Sequence, residues 1–198
     1  MEPVRIIAGR ATPLDRSDVD TDQIIPAEWL KRVERTGFGA GLFATWRESE
    51  RDFPCNREEH AGSTILIAGP NFGTGSSREH AVWALTDWGF QAVISPRFGD
   101  IFRNNATKAG LVPVVVPAEV GEALLRAVVA DPDLEVVVDV EKRLVSAPAV
   151  DIECEFPLDD HTRHRLLEGL DDVGLTLRKE GHIDAHEARR KDWHPTTA

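Results

Sequence analysis

The stretch Gly69-Pro70-Asn71-Phe72-Gly73-Thr74-Gly75-Ser76-Ser77-Arg78-Glu79-His80-Ala81 constrains this chain more than any other. Before it, Ser63 to Ala68 is a short apolar run rich in β-branched residues, which reads as a buried strand. After it, Ala81, Val82, Leu85 and Trp88 recur at helical spacing, and Gly89 supplies a left-handed stop. A glycine-rich turn between a strand and a helix N-terminus gathers unpaired N–H groups at the positive end of the helix dipole. Such a place favours a bound anion, a carboxylate or a phosphate. Ser76, Ser77 and Arg78 then stand within one turn of it.

Two readings of the serines stay open at this level. Either Ser76 or Ser77 is an ordinary N-cap, or one of them is a polar group poised beside a bound anion. Several known loops are excluded by the residues. A P-loop needs Gly-Lys-Ser/Thr, and Gly75 is followed directly by Ser76. A dinucleotide fingerprint needs glycine where Arg78 stands. A nucleophile elbow needs glycine where Glu79 stands.

The 198 residues suffice for one domain with a proper core, and the formal net charge of -11 argues against a nucleic-acid partner or an anionic membrane surface. Met1 to Arg10 lacks the apolar segment of a signal peptide, and no apolar run approaches a membrane span. The two cysteines, Cys55 and Cys154, are far apart and without neighbouring ligands at metal spacing. A cytoplasmic protein with no disulfide framework and no metal of its own is expected.

Along the chain, Val4 to Ala8 reads as a first strand that Thr12-Pro13-Leu14 breaks. Asp18, Asp20 and Asp22 alternate, but the run lacks the glycine and late glutamate of a calcium loop. Its carboxylates are expected to cap and brace backbone N–H groups leading to Pro26. Ala27 to Val33 is expected to be a short helix with a flexible exit through Gly37, Gly39 and Gly41, the character of a lid. Glu48 to Gly62 reads as an irregular surface excursion.

Strands at 91–95 and 111–116 then alternate with helices at 101–109 and 118–130, so a parallel sheet with right-handed crossovers is expected. From Leu134 the pattern turns to strict alternation. A hairpin around Glu141-Lys142 follows, with a further strand in which Val150, Ile152, Cys154 and Phe156 share the core face. Beyond Pro157 a helix capped by Asp159 or Asp160 carries Leu166, Leu167 and Leu170, and a second helical pattern runs from Asp171 to Arg190. Of the late histidines, only His182 and His186 have helical ligand spacing, which on an exposed helix usually marks plain surface. The tail from Trp193 is expected to fray.

The string from Gly69 to Ala81 resembles the active-site serine loop in the swivelling domain of the aconitase superfamily. Asp18-Val19-Asp20-Thr21-Asp22-Gln23-Ile24-Ile25-Pro26 is similar to a second hallmark of the leucine-biosynthesis branch of that superfamily, and the likeness covers nearly the whole chain. The resemblance implies an α/β fold, a β/β/α swivelling domain over residues 1–158 with a parallel sheet and an antiparallel hairpin layer. Helices from 159 to 198 would extend it. It further implies conversion of 2-isopropylmalate to 3-isopropylmalate by loss and readdition of water. Ser76 then matches the catalytic base and Arg78 the guanidinium that binds substrate carboxylate or steadies the serine oxygen. Gly75, Ser77 and Thr21 would line the substrate pocket, with Leu30, Arg32 and Val33 choosing the substrate side chain. The [4Fe–4S] cluster of this superfamily would belong to a separate large subunit, since two cysteines do not hold a cluster. A sister hydro-lyase acting on homologous tricarboxylates or methyl-substituted malates, and a carboxylate-binding module without chemistry, are the alternatives.

Overall fold

The computed structural model describes residues 1–31, 36–76 and 78–190. Its seven strands are β1 (Ile6–Leu14), β2 (Ile65–Ala68), β3 (Ala92–Ser95), β4 (Val112–Val115), β5 (Glu135–Asp139), β6 (Leu144–Ala147) and β7 (Ile152–Glu155), in the spatial order β4-β3-β2-β1-β5-β6-β7. From β4 to β1 the pairing is parallel, and from β1 to β7 it is antiparallel. The parallel half and the hairpin half are therefore joined through one strand.

That strand is divided end to end. Ile6–Arg10 pairs with β5, and Ala11–Leu14 pairs with β2. The division explains why β1 runs on through Pro13, where the sequence suggested a break. Proline lacks a backbone donor and is tolerated at a sheet edge, and among the described residues no strand lies beside Pro13 on the side of β1 turned from β2.

Helices α1 (Thr21–Ile24) and α2 (Ala44–Ser49) lie in the long passage from β1 to β2; α3 (Glu79–Trp88), α4 (Asp100–Ala109) and α5 (Ala118–Ala130) are crossovers. Helices α6 (Asp160–Glu168), α7 (Asp172–Leu177) and α8 (Glu180–Glu187) end the described chain. The sheet has a core on each face, and β2 shows how one strand serves both. Ile65 and Ile67 point into a core closed by Leu124, Leu125 and Val128 of α5 and Leu166 of α6. Leu66 and Ala68 point the other way, against Ala81 and Leu85 of α3, Phe102 of α4, and Phe38 and Phe43. Burying each large aliphatic side chain is worth about 1.5–3 kcal/mol. This two-sided burial is what fixes the strand ends that carry the loops.

Several local readings shift. Ala27–Lys31 is a 3-10 turn with no fully buried residue, and Val33 lies outside the described residues. The excursion after Glu48 is built from short turns and still buries Phe53 and His60. Val150 sits on a 3-10 turn and is exposed; Cys154 packs at the rim of the core. Asp159 is the cap of α6, accepting from the Thr162 N–H, and that bond holds its carboxyl below the usual range. The helical pattern from Asp171 breaks at Arg178-Lys179 into α7 and α8.

Candidate functional site

The two sequence hallmarks are zipped together over their length. The Asp18 N–H donates to Pro70 O at 2.9 Å, and Asn71 Nδ2 donates to Asp18 Oδ1 at 2.7 Å. Gly73 N–H and Thr74 N–H both reach Val19 O, at 2.7 and 3.3 Å, and Thr21 N–H returns to Thr74 O at 2.9 Å. Thr21 Oγ1 then donates to Ser76 O at 3.1 Å. At the end of the zip the Arg78 Nη1 donates to Asp22 Oδ1 as a salt bridge.

The glycines make this approach possible. Gly69 passes so close to the backbone of Arg16 that an added Cβ would lie 2.5 Å from its carbonyl oxygen. Gly73 has φ +73°, and a Cβ there would fall inside the ring of Phe102. Phe72, Phe98 and Phe102 pack around the base of the loop, and Ser95 Oγ lies 2.8 Å from both Gly69 O and Arg97 O. The loop is thus buried at its root and open at its tip, where Gly75 and Ser76 are exposed.

Helix α3 begins at Glu79, three residues beyond Ser76, with Arg78 in the N-cap position and no side-chain cap. Ser76 is therefore not the cap of α3. Its carbonyl accepts from Arg78 N–H and Thr21 Oγ1, while among the described residues its hydroxyl has no hydrogen-bond partner. An uncapped first turn leaves N–H groups for an anion. The Glu79 carboxylate on the same turn opposes one, and the guanidinium of Arg78 offsets it.

Of the residues suggested by sequence, Thr21, Gly75, Ser76 and Arg78 are brought together. Leu30 is half-buried on the 3-10 turn, and Arg32, Val33 and Ser77 lie outside the described residues. Asp20 braces backbone as expected, through a capping box with Gln23 (2.8 and 2.9 Å). Asp18 and Asp22 instead hold side chains of the serine loop, Asn71 and Arg78. That use of them was missed. The available signal was a surplus of carboxylates in a stretch too short to need three caps.

No metal constellation accompanies this arrangement: among the described residues no group of three or more His, Cys, Asp or Glu side chains could hold an ion. Burial pushes the Cys55 thiol up to about 12 against the opposing pull of Arg47, so it stays protonated. Cys154 is likewise raised by burial. The two cysteines pack against opposite faces of the sheet and fall short of the thiolate set an iron–sulfur cluster takes. His182 and His186 are exposed on α8 beside Lys179 and Arg190. No helix among the described residues is long and apolar enough to cross a membrane.

The sheet, the swivel-type loop and its partner segment define an aconitase-type domain, and the family model of the aconitase C-terminal domain matches residues 1–119. A second model, that of the C-terminal domain of the 3-isopropylmalate dehydratase small subunit, matches residues 172–198. Proteins described as 3-isopropylmalate dehydratase small subunits from Parafrankia sp. (strain EAN1pec) and Frankia casuarinae are 63% and 61% identical over 198 residues, covering 100% of each chain. The crystal structure of a 3-isopropylmalate dehydratase from Methanocaldococcus jannaschii superposes with a TM-score of 0.66 at 29% identity, covering 92% of this chain and 99% of that one. This chain belongs to the family of 3-isopropylmalate dehydratase small subunits.

Proposed function

We propose that this chain works in the cytoplasm with a large subunit as a hydro-lyase, interconverting 2-isopropylmalate and 3-isopropylmalate by loss and readdition of water. The observation that carries the site assignment is the exposed, unpartnered Ser76 hydroxyl. It is held by its own carbonyl to Thr21, next to an arginine fixed at one nitrogen. Ser76 is the base that takes the proton from the carbon beside a carboxylate, and Arg78 receives a substrate carboxylate. Gly75, Thr21 and Ser77 shape the pocket; Leu30, Arg32 and Val33 meet the substrate side chain.

A serine is a weak base. With a pKa far above neutral, near that of bulk water, a standing alkoxide at neutral pH costs on the order of 10 kcal/mol. A helix N-terminus offsets at most about 2 kcal/mol of that. The Ser76 hydroxyl therefore ionises only transiently, passing its own proton to a base that the large subunit would supply as its oxygen takes the one from carbon, with water excluded and Arg78 close by. Exclusion of water falls to a second surface, because the loop tip is open here. Docking of the large subunit over Ser76 would supply it, together with the [4Fe–4S] cluster for which this chain has too few cysteines. Within this reading residues 1–158 are the swivelling domain and 159–198 an extension. Helix α6 roots that extension in the core through Leu166, while α7 and α8 bury no residue.

The test is Ser76→Ala in the enzyme assembled with a large subunit. Turnover of 2-isopropylmalate should be abolished. Since the hydroxyl is exposed and unpartnered, stability should move by no more than about 0.5 kcal/mol. Retained turnover in the purified complex would overturn the assignment.

A further inference from the structure

We propose that Asp22 is the positioning residue for Arg78, tethering one guanidinium nitrogen so that the others face the substrate carboxylate. The inference rests on the role given to Arg78 above. Asp22 stands in the first turn of α1, which is anchored by buried Thr21 and Ile24, by the Asp20–Gln23 box, and by the Thr21 bonds to Thr74 and Ser76. Asp22 is thus fixed relative to Ser76 by the same residues that fix the serine loop. Arg78, by contrast, leaves an extended backbone position on a long, many-rotamer side chain.

The tether is single. Arg78 Nη1 meets Asp22 Oδ1, and among the described residues Nη2 and Nε make no other hydrogen bond or ion pair. A guanidinium has five donors in a planar fork, so a second carboxylate still finds two parallel N–H groups. The Asp22 side chain is 53% exposed and that of Arg78 is 21% exposed. An ion pair so open to water adds little to stability. What it does is remove rotational freedom that Arg78 would otherwise lose on binding substrate.

The experiment uses the assembled two-subunit enzyme and steady-state kinetics on 2-isopropylmalate for Asp22→Ala, Asp22→Asn, Arg78→Lys and the double variant Asp22→Ala/Arg78→Lys. Asp22→Ala should raise KM by about tenfold to a hundredfold, with a smaller loss in kcat and an unchanged thermal midpoint. Asp22→Asn keeps an acceptor in the same place and should recover most of the loss. In the Arg78→Lys background the alanine change should cost little further, because the fork it orients is gone. Wild-type KM in Asp22→Ala alongside an impaired Arg78→Lys overturns this inference alone. An equal further loss in the double variant, or a lowered midpoint with KM unmoved, makes Asp22 structural and overturns it too. Wild-type kinetics in Arg78→Lys would overturn the reading of Arg78 itself, and the inference with it.

Discussion

Between Asp18 and Arg78 the fold is made by side-chain bonds that join residues 53 to 56 positions apart. From Asp171 to Glu187 it is made mostly within three or four. Asp171 caps Gly174, and Thr176 Oγ1 returns to Asp172 O. Among the described residues Asp172, paired with Lys108 and Arg165, and Arg178, paired with Glu168 and His164, tie the late helices to the rest. No residue of α7 or α8 is buried. A segment held by distant partners has one geometry or none, which suits the proposed site, where a hydroxyl is to stand beside a guanidinium. A segment held by its own caps can change sequence without disturbing the site.

The contrast can be broken most forcefully at Gly73. Gly73→Ala should destabilise the chain by roughly 3 kcal/mol, from left-handed strain and the collision with Phe102 together; urea unfolding measures it. An unchanged midpoint would mean that the loop root relaxes freely, and the rigid side of the comparison would fail.

A gentler effect is expected with pH. His60, buried beneath the passage into β2, has its pKa lowered, chiefly by burial. The folded chain therefore takes up this proton less readily than the unfolded one. Its contribution to stability should be intact above about 6.5, the ordinary histidine value, and should decline as pH falls from there through the lowered folded value. His60→Gln should flatten that part of the stability profile in thermal melts; an identical profile would place the buried passage outside the cooperative unit.

Smallest of all should be Leu177→Ser on the exposed face of α7. A change below about 0.5 kcal/mol is expected in the same melts. A loss of several kcal/mol would show the late helices to be part of the core after all.

The same contrast decides what was legible in the sequence. Helix α5 is found at 118–130 as its periodicity suggests, and Gly89 and Gly110 end α3 and α4 in left-handed conformations, because these signals are local. The alternation of Leu134, Val136, Val138 and Val140 gave the buried face of β5 for the same reason. What pattern reading misplaced was set from afar. Pro13 stays in its strand because β5 has already parted from it, and α3 starts at Glu79 because Thr21 and Arg78 hold Ser76 in a turn. Ser76 and Arg78 could be picked out as chemically apt residues. That Asp22 reaches Arg78 depends on a loop closing over more than fifty residues, and no local spacing records it.

The end-to-end division of β1 also has a mechanical meaning. The parallel and antiparallel ladders are coupled in series through the peptide backbone at Arg10-Ala11. A force drawing them apart meets a covalent bond before it meets a row of hydrogen bonds. Across that seam the main brace is α5, which packs on β1, β2 and β3 of one ladder and on β7 of the other. Wedging α5 away would strip the face it covers and leave two small sheets linked like carriages, with the serine loop riding on only one of them.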